Sequence, residues 1–122
     1  MEQKPTILIA EDDSSNFMYF DALLHSKYRI LWAKNGQEAV DMALENDVDV
    51  VLMDYKMPVL TGMEATRIIK EKKPGLKVVV QTAFAMFEFR QQAMSVGADE
   101  FLTKPVSCDT LIETIEKMIS ER

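Results

Sequence analysis

Acidic, hydroxyl and basic residues recur along this chain close behind short apolar runs. "TILIA" is followed by Glu11, Asp12 and Asp13, and "VDVVLM" by Asp54. "KVVVQ" is followed by Thr82 and Ala83, and "EFLT" by Lys104 and Pro105. If folding gathers these run ends, the carboxylates need a counter-charge. Two unit charges ~4 Å apart repel by roughly 4 kcal/mol at an effective dielectric near 20. Such a cluster raises its members' pKa values or holds a cation. Oxygen ligands with room for water suit Mg²⁺, which takes one or two carboxylates together with phosphate oxygens. A hydroxyl and an ammonium at the same rim complete a set suited to phosphoryl transfer. In that chemistry the protein mainly positions groups and stabilises equatorial oxygens.

Gathering the ends is a matter of topology. Thr6–Ala10, Tyr28–Ala33, Val48–Met53, Lys77–Gln81 and Glu100–Thr103 read as strands. The first, third and fourth are nearly continuous in apolar residues, the pattern of parallel strands covered on both faces. Helix-period segments separate and follow them. Phe17, Phe20, Leu23 and Leu24 mark one face of the first; Ala39, Val40, Ala43 and Leu44 mark the second. Met63, Thr66 and Ile69, with Ile68 beside them, mark the third. The fourth, Phe89 to Val96, is the least regular, with Ala93 and Met94 as its core candidates. Leu111, Ile112, Ile115, Met118 and Ile119 stripe the last. Ser14 or Ser15 is expected to cap the first helix and Ser107 the fifth, while Asn35-Gly36 opens the second. Pro74-Gly75 ends the third and Gly97 follows the fourth. The reading is α/β: a flavodoxin-like (βα)5 doubly wound parallel sheet of order 2-1-3-4-5, with residues 1–122 as one domain. In that order the first and third strands are neighbours at the switch point, where ligands bind. Glu11, Asp12 and Asp54 should therefore converge.

Composition narrows the function classes. The chain has 122 residues, enough for a single core. Its formal net charge of -6 argues against direct nucleic-acid binding, which needs a basic footprint. Cys108 is the only cysteine, which excludes an internal disulfide and suits a reducing compartment. No apolar run approaches a membrane span, and the N-terminus carries no long apolar signal core. A soluble cytoplasmic domain is the expectation.

Glu11-Asp12, Asp54 within "DYKMPVLTG", Thr82-Ala83 and Lys104-Pro105 are each weak signals alone. Together, in this order and at these run ends, they make the chain resemble a response-regulator receiver domain of two-component signalling over nearly its whole length. The resemblance implies that Asp54 is the phosphoacceptor, taking a phosphoryl group from a phosphohistidine on a histidine kinase or a histidine phosphotransfer domain. It implies Mg²⁺ held by Glu11, Asp12, Asp54 and the backbone carbonyl of Lys56, with Glu11 acting through water. Lys104 would pair with one phosphoryl oxygen and Thr82 with another. Phe101 stands at the switch-aromatic position, and Pro105 at a position commonly joined by a cis peptide. The domain would be a switch that assists its own phosphorylation and dephosphorylation, not an ordinary enzyme. It would act on the helix 4–strand 5–helix 5 face toward an output domain or a downstream protein. Lys56 and Phe84 stand where the family flanks the path of the hydrolytic water, and the bulk of Phe84 implies slow self-dephosphorylation. The Glu-Asp pair, in place of Asp-Asp, is a variant common in hybrid sensor histidine kinases. Phe101 replaces a frequent tyrosine.

Other residues have plainer readings. Asp13 is given no ligand role. Gly62 meets a backbone requirement at a helix start, and Met57-Pro58 makes a rigid turn. His25 reads as a surface residue, Cys108 as a small packing residue and Trp32 as packing or a covered edge. "FAMFEF", Phe84–Phe89, reads equally as core or as an exposed apolar patch. Three rival functions stand beside the receiver. A haloacid-dehalogenase-type aspartyl phosphatase wants Asp-x-Asp after the first strand, where this chain has "EDDSS". A flavodoxin-type carrier wants a hydroxyl-rich and Gly-rich loop in the same place. A receiver-like binding module would dispense with phosphorylation altogether.

Overall fold

A computed structural model of the chain describes residues 4–83 and 87–121. Among these residues five strands alternate with five helices: β1 (Thr6–Ala10), α1 (Ser14–Leu24), β2 (Arg29–Ala33), α2 (Gly36–Glu45), β3 (Val50–Asp54), α3 (Gly62–Lys72), β4 (Lys77–Thr82), α4 (Phe87–Ser95), β5 (Glu100–Thr103) and α5 (Cys108–Ser120). All pairings are parallel and the order is β2-β1-β3-β4-β5. This is the flavodoxin-like architecture expected from the sequence.

Side chains alternate across a strand, so each apolar run feeds two cores. Leu8, Ala10, Val51, Met53, Val78, Val80 and Phe101 face α2, α3 and α4, where Ala39, Val40, Ala43, Met63, Ala65, Ile69 and Ala93 meet them. Ile7, Ile9, Val50, Leu52 and Val79 face α1 and α5, meeting Phe20, Leu24, Leu111, Ile115 and Met118. β1 and β3 are buried at every residue because helices cover both faces. β2 lies at an edge and is buried fully only at Ala33.

Boundaries differ from the sequence reading at several points. β2 starts after Tyr28, and β3 starts two residues late; just before it, Asp49 exchanges bonds with Thr6 of β1, its N–H donating to Thr6 O at 2.9 Å and its Oδ2 accepting from Thr6 N at 2.7 Å. β3 and β4 extend to include Asp54 and Thr82. The cap of α1 is Asp13, not Ser14 or Ser15. Asp13 has extended backbone, and its carboxylate accepts from Ser15 N at 2.8 Å and Asn16 N at 3.3 Å; Ser14 is already helical. Met94 is 43% exposed and not core, because α4 turns only Ala93 fully inward. Cys108 is exposed at the start of α5 and does not pack; Leu111, Ile115 and Met118 fill that face.

Asn35, Thr61 and Ser107 cap α2, α3 and α5, and Thr61 forms a reciprocal capping box with Glu64. Gly62 is required by close approach. A Cβ there would collide with the Asp54 carbonyl, so glycine lets α3 start directly against the end of β3. Among the described residues no helix is long and apolar enough to cross a membrane.

Candidate functional site

The carboxyl ends of β1, β3, β4 and β5 open onto a cleft of about 570 Å³. Its lining includes Glu11, Asp12, Asp54, Lys56, Thr82 and Lys104. Asp54 ends β3, the central strand, which pairs with β1 as far as Met53 and with β4 through Asp54 itself, opposite Gln81. Beyond it, Tyr55 N donates to Gln81 O at 2.9 Å and Gly62 N donates to Tyr55 O at 2.8 Å, which ties the loop down at both ends. Between these points Leu60 N bonds Pro58 O at 2.9 Å around Val59, whose φ is 72°. That is a γ-turn with a β-branched residue in the left-handed region, a strained arrangement. The Val59 side chain is 74% exposed.

Lys104 directly follows β5. Its backbone N donates to Thr82 O at 2.8 Å, which binds the β5 end to the β4 end, and the following Lys104-Pro105 peptide is cis. Its ammonium lies 3.2 Å from Glu11 Oε1 and 3.3 Å from Asp54 Oδ1. One cation thus bridges two buried carboxylates. Asp12 is exposed beside them, and one carboxylate oxygen from each of Glu11, Asp12 and Asp54 falls within 4.8 Å of the others.

The electrostatics follow from burial. Glu11 is 1% exposed, and its pKa is pushed up from 4.5 to about 7. Burial is the largest cause, followed by the charge of Asp54 and a shared hydrogen bond with it. Lys104 and the Asp13 N–H pull the other way without cancelling these. A divalent cation would relieve the charge that Lys104 leaves uncompensated, so the donor set fits Mg²⁺: hard oxygens on an open, wettable cleft.

Glu11, Asp12, Asp54, Thr82, Lys104 and Lys56 thus line one cleft, as their run-end positions predict. Thr82 is buried at its floor. Phe101 lies elsewhere, turned inward into the core under α3 and α4 and 7% exposed. Phe84 lies outside the described residues, as does the first half of the "FAMFEF" segment. In its second half, Phe87 is 67% exposed, while Phe89 packs edge-on against Tyr55 with ring centroids 5.0 Å apart. His25 is exposed at the end of α1, as expected.

Two contributors were not foreseen. Asp13 caps α1 and donates its N–H to Glu11 Oε2 at 3.3 Å. Trp32, on β2, donates its indole N–H to the Glu11 carbonyl at 2.7 Å. An Asp next to an acidic pair hints at the first; nothing in the local sequence signals the second.

A family model described as the response regulator receiver domain matches residues 7–116. The polar-differentiation response regulator DivK of Brucella anthropi is 32% identical over 119 residues, covering 95% of this chain and 97% of DivK. The receiver domain of sensor histidine kinase PA1611 from Pseudomonas aeruginosa PAO1, solved with a magnesium ion coordinated in its active-site cleft, matches with a TM-score of 0.89. It is 30% identical, over 96% of this chain and 98% of that one. A further match is to the co-crystal structure of the Saccharomyces cerevisiae histidine phosphotransfer protein Ypd1 and the receiver domain of its downstream response regulator Ssk1. The TM-score is 0.88 at 31% identity, over 98% of this chain and 92% of the matched chain.

Proposed function

The chain belongs to the response regulator receiver family of two-component signalling, and from that premise we propose that Asp54 is its phosphoacceptor. The observation that carries the reading is the pair of buried carboxylates, Glu11 and Asp54, held 3.2 and 3.3 Å from the single ammonium of Lys104 in an open cleft. A carboxylate oxygen of Asp54 would attack the phosphorus of a partner's phosphohistidine. The O–P bond forms as the P–N bond breaks, and the imidazole leaves. Lys104 would then turn from the carboxylates to a phosphoryl oxygen, and Thr82 would donate its hydroxyl to another.

Glu11, Asp12, Asp54 and the backbone carbonyl of Lys56 would hold Mg²⁺, which supplies neutralisation of charge on the equatorial phosphoryl oxygens. A phosphoryl donor on a histidine kinase or a histidine phosphotransfer protein is the partner class, in keeping with the Ypd1–Ssk1 relative. With such a partner the domain would act in the cytoplasm. The reading makes the domain a switch and not a turnover enzyme.

The switch would use the β4–β5 side of the sheet. Drawing Thr82 and Lys104 toward a dianion alters the ends of both strands, and Phe101 on β5 lies between them and α4. Moving such an equilibrium from 1:99 to 99:1 takes about 5.5 kcal/mol of differential interaction. A charge-assisted lysine contact of roughly 1.5–3 kcal/mol and a hydroxyl bond of about 1 kcal/mol supply much of this. The α4–β5–α5 face would carry the signal to an output domain or a downstream protein.

The test is phosphorylation by a small phosphodonor or a histidine kinase, read as acid-stable, base-labile incorporation. The parent chain should take up the phosphoryl group and Asp54→Asn should not. Equal uptake by both would remove Asp54 from the role. The haloacid-dehalogenase reading has no observation in its favour, since the candidate nucleophile ends the third strand and not the first.

A further inference from the structure

Glu11 is the most constrained member of the acidic cluster. All four of its hydrogen-bonding groups are engaged. Its N–H donates to Ala33 O at 2.9 Å, and its carbonyl accepts from Trp32 Nε1 at 2.7 Å. Its Oε1 faces Lys104 Nζ at 3.2 Å, and its Oε2 faces Asp13 N at 3.3 Å. The carbonyl is the unusual one. In a parallel ladder the next rung from β2 would satisfy it, but the chain leaves β2 after Ala33 and turns toward α2. By the β1–β2 register the amide that would make that rung belongs to Asn35, which instead caps the start of α2. A buried carbonyl with no backbone donor is costly, and the indole N–H takes the missing place.

The ring that makes this bond is itself held. Trp32 stacks on Phe17 of α1 with centroids 4.2 Å apart and planes 5° from parallel. The ammonium of Lys34 lies 5.0 Å from the Trp32 ring centroid. β2 therefore grips the Glu11 main chain at two points, through Ala33 and through Trp32. The carbonyl so gripped belongs to the Glu11–Asp12 peptide, and rotation of that peptide moves both carboxylates relative to Asp54. Asp12 is exposed, so packing does little to hold it and the backbone on which it stands does more.

We propose that Trp32 is a positioning residue of the acidic site: its indole N–H fixes the Glu11–Asp12 peptide and so sets the spacing of the carboxylates that receive a divalent cation. The inference rests on the metal-binding reading of Glu11, Asp12 and Asp54. Trp32 touches neither the acceptor nor the cation; it acts through Glu11.

The experiment is calorimetric titration of Mg²⁺ into the intact domain, with two replacements of Trp32. Trp32→Phe keeps an aromatic ring against Phe17 and removes the donor. Benzothienylalanine at the same position keeps the full ring size and stacking and replaces only the N–H by sulfur. Loss of one hydrogen bond to a carbonyl that orients ligands predicts Mg²⁺ binding about three- to tenfold weaker in both. Trp32 is the only tryptophan in the chain, so Mg²⁺ should also change the parent's indole emission, a response that mere packing against Phe17 would not give. Mg²⁺ affinity within twofold of the parent in both variants would overturn the inference while leaving the metal reading intact. Weakening by Trp32→Phe alone would assign the effect to packing and overturn it as well. A parent chain that binds no Mg²⁺ would overturn the metal reading and this inference together.

Discussion

The metal-free domain should lose stability as pH rises from 4.5 toward 7, and replacing Glu11 by glutamine should remove most of that dependence. Folded Glu11 titrates at about 7, against 4.5 for an ordinary glutamate. Between those values the folded state keeps a proton that the unfolded state has released, so stability falls as pH rises. The contribution is whole below 4.5 and gone above about 7. At about 1.4 kcal/mol per pH unit, the interval between 4.5 and 7 amounts to roughly 3 kcal/mol. No discount for solvent is needed, because the side chain is 1% exposed. Urea denaturation followed by circular dichroism, in EDTA and across this pH range, measures the slope. Glu11→Gln should flatten it. Asp54→Asn should flatten it only in part, since it removes a neighbouring charge but leaves burial, the larger cause. If Glu11→Gln tracks the parent across the window, the buried, protonated Glu11 is refuted.

The same protonation opposes a cation, which needs the carboxylate charged. Mg²⁺ affinity should be about tenfold higher at pH 8 than at pH 6, as a titration at each pH would reveal. Gln81 is fully buried, with neither Oε1 nor Nε2 partnered among the described residues. Gln81→Leu, of similar volume, should therefore raise stability by about 1–2 kcal/mol; a lower urea midpoint at unchanged m would count against it. Val59→Gly relieves a φ of 72° and should stabilise by about 1 kcal/mol, read the same way. Phe84→Ala should shorten the half-life of the aspartyl phosphate severalfold, measured by decay after the donor is removed; an unchanged half-life ends the idea that its bulk screens the hydrolytic water.

The site was legible where one strand end decided one residue. Asp54 and Thr82 belong to runs whose near-continuous apolarity marks burial on both faces, and Lys104 follows the short edge run "EFLT", so their place at one rim follows from the strand order. Capping was less legible at α1, where Asp13, Ser14 and Ser15 can all cap and only the backbone angles separate them. α4 was the least legible helix because it presents one fully buried residue, Ala93, too few to define a stripe that would leave Met94 outside it. Gln81 reads as a strand-end polar residue yet is fully buried, because β4 is an inner strand with helices over both faces of the sheet. Trp32 reads as packing and does stack on Phe17, but its role at Glu11 could not be read. Its bond to Glu11 depends on β2 lying against β1 and ending one residue later, a fact of pairing that no local pattern contains.

The sheet order has a mechanical side as well. β3, which carries Asp54, is laced to β1 and β4, whereas β5, with four residues, is laced to β4 alone. Displacing β3 would strain ladders on both flanks; displacing β5 strains a single short one. Stiffness is therefore greatest where a reacting oxygen must be aimed and least under Phe101 and Lys104. A push at the cleft would be absorbed at the compliant margin, so the lines of force run outward from the centre of the sheet to one particular edge.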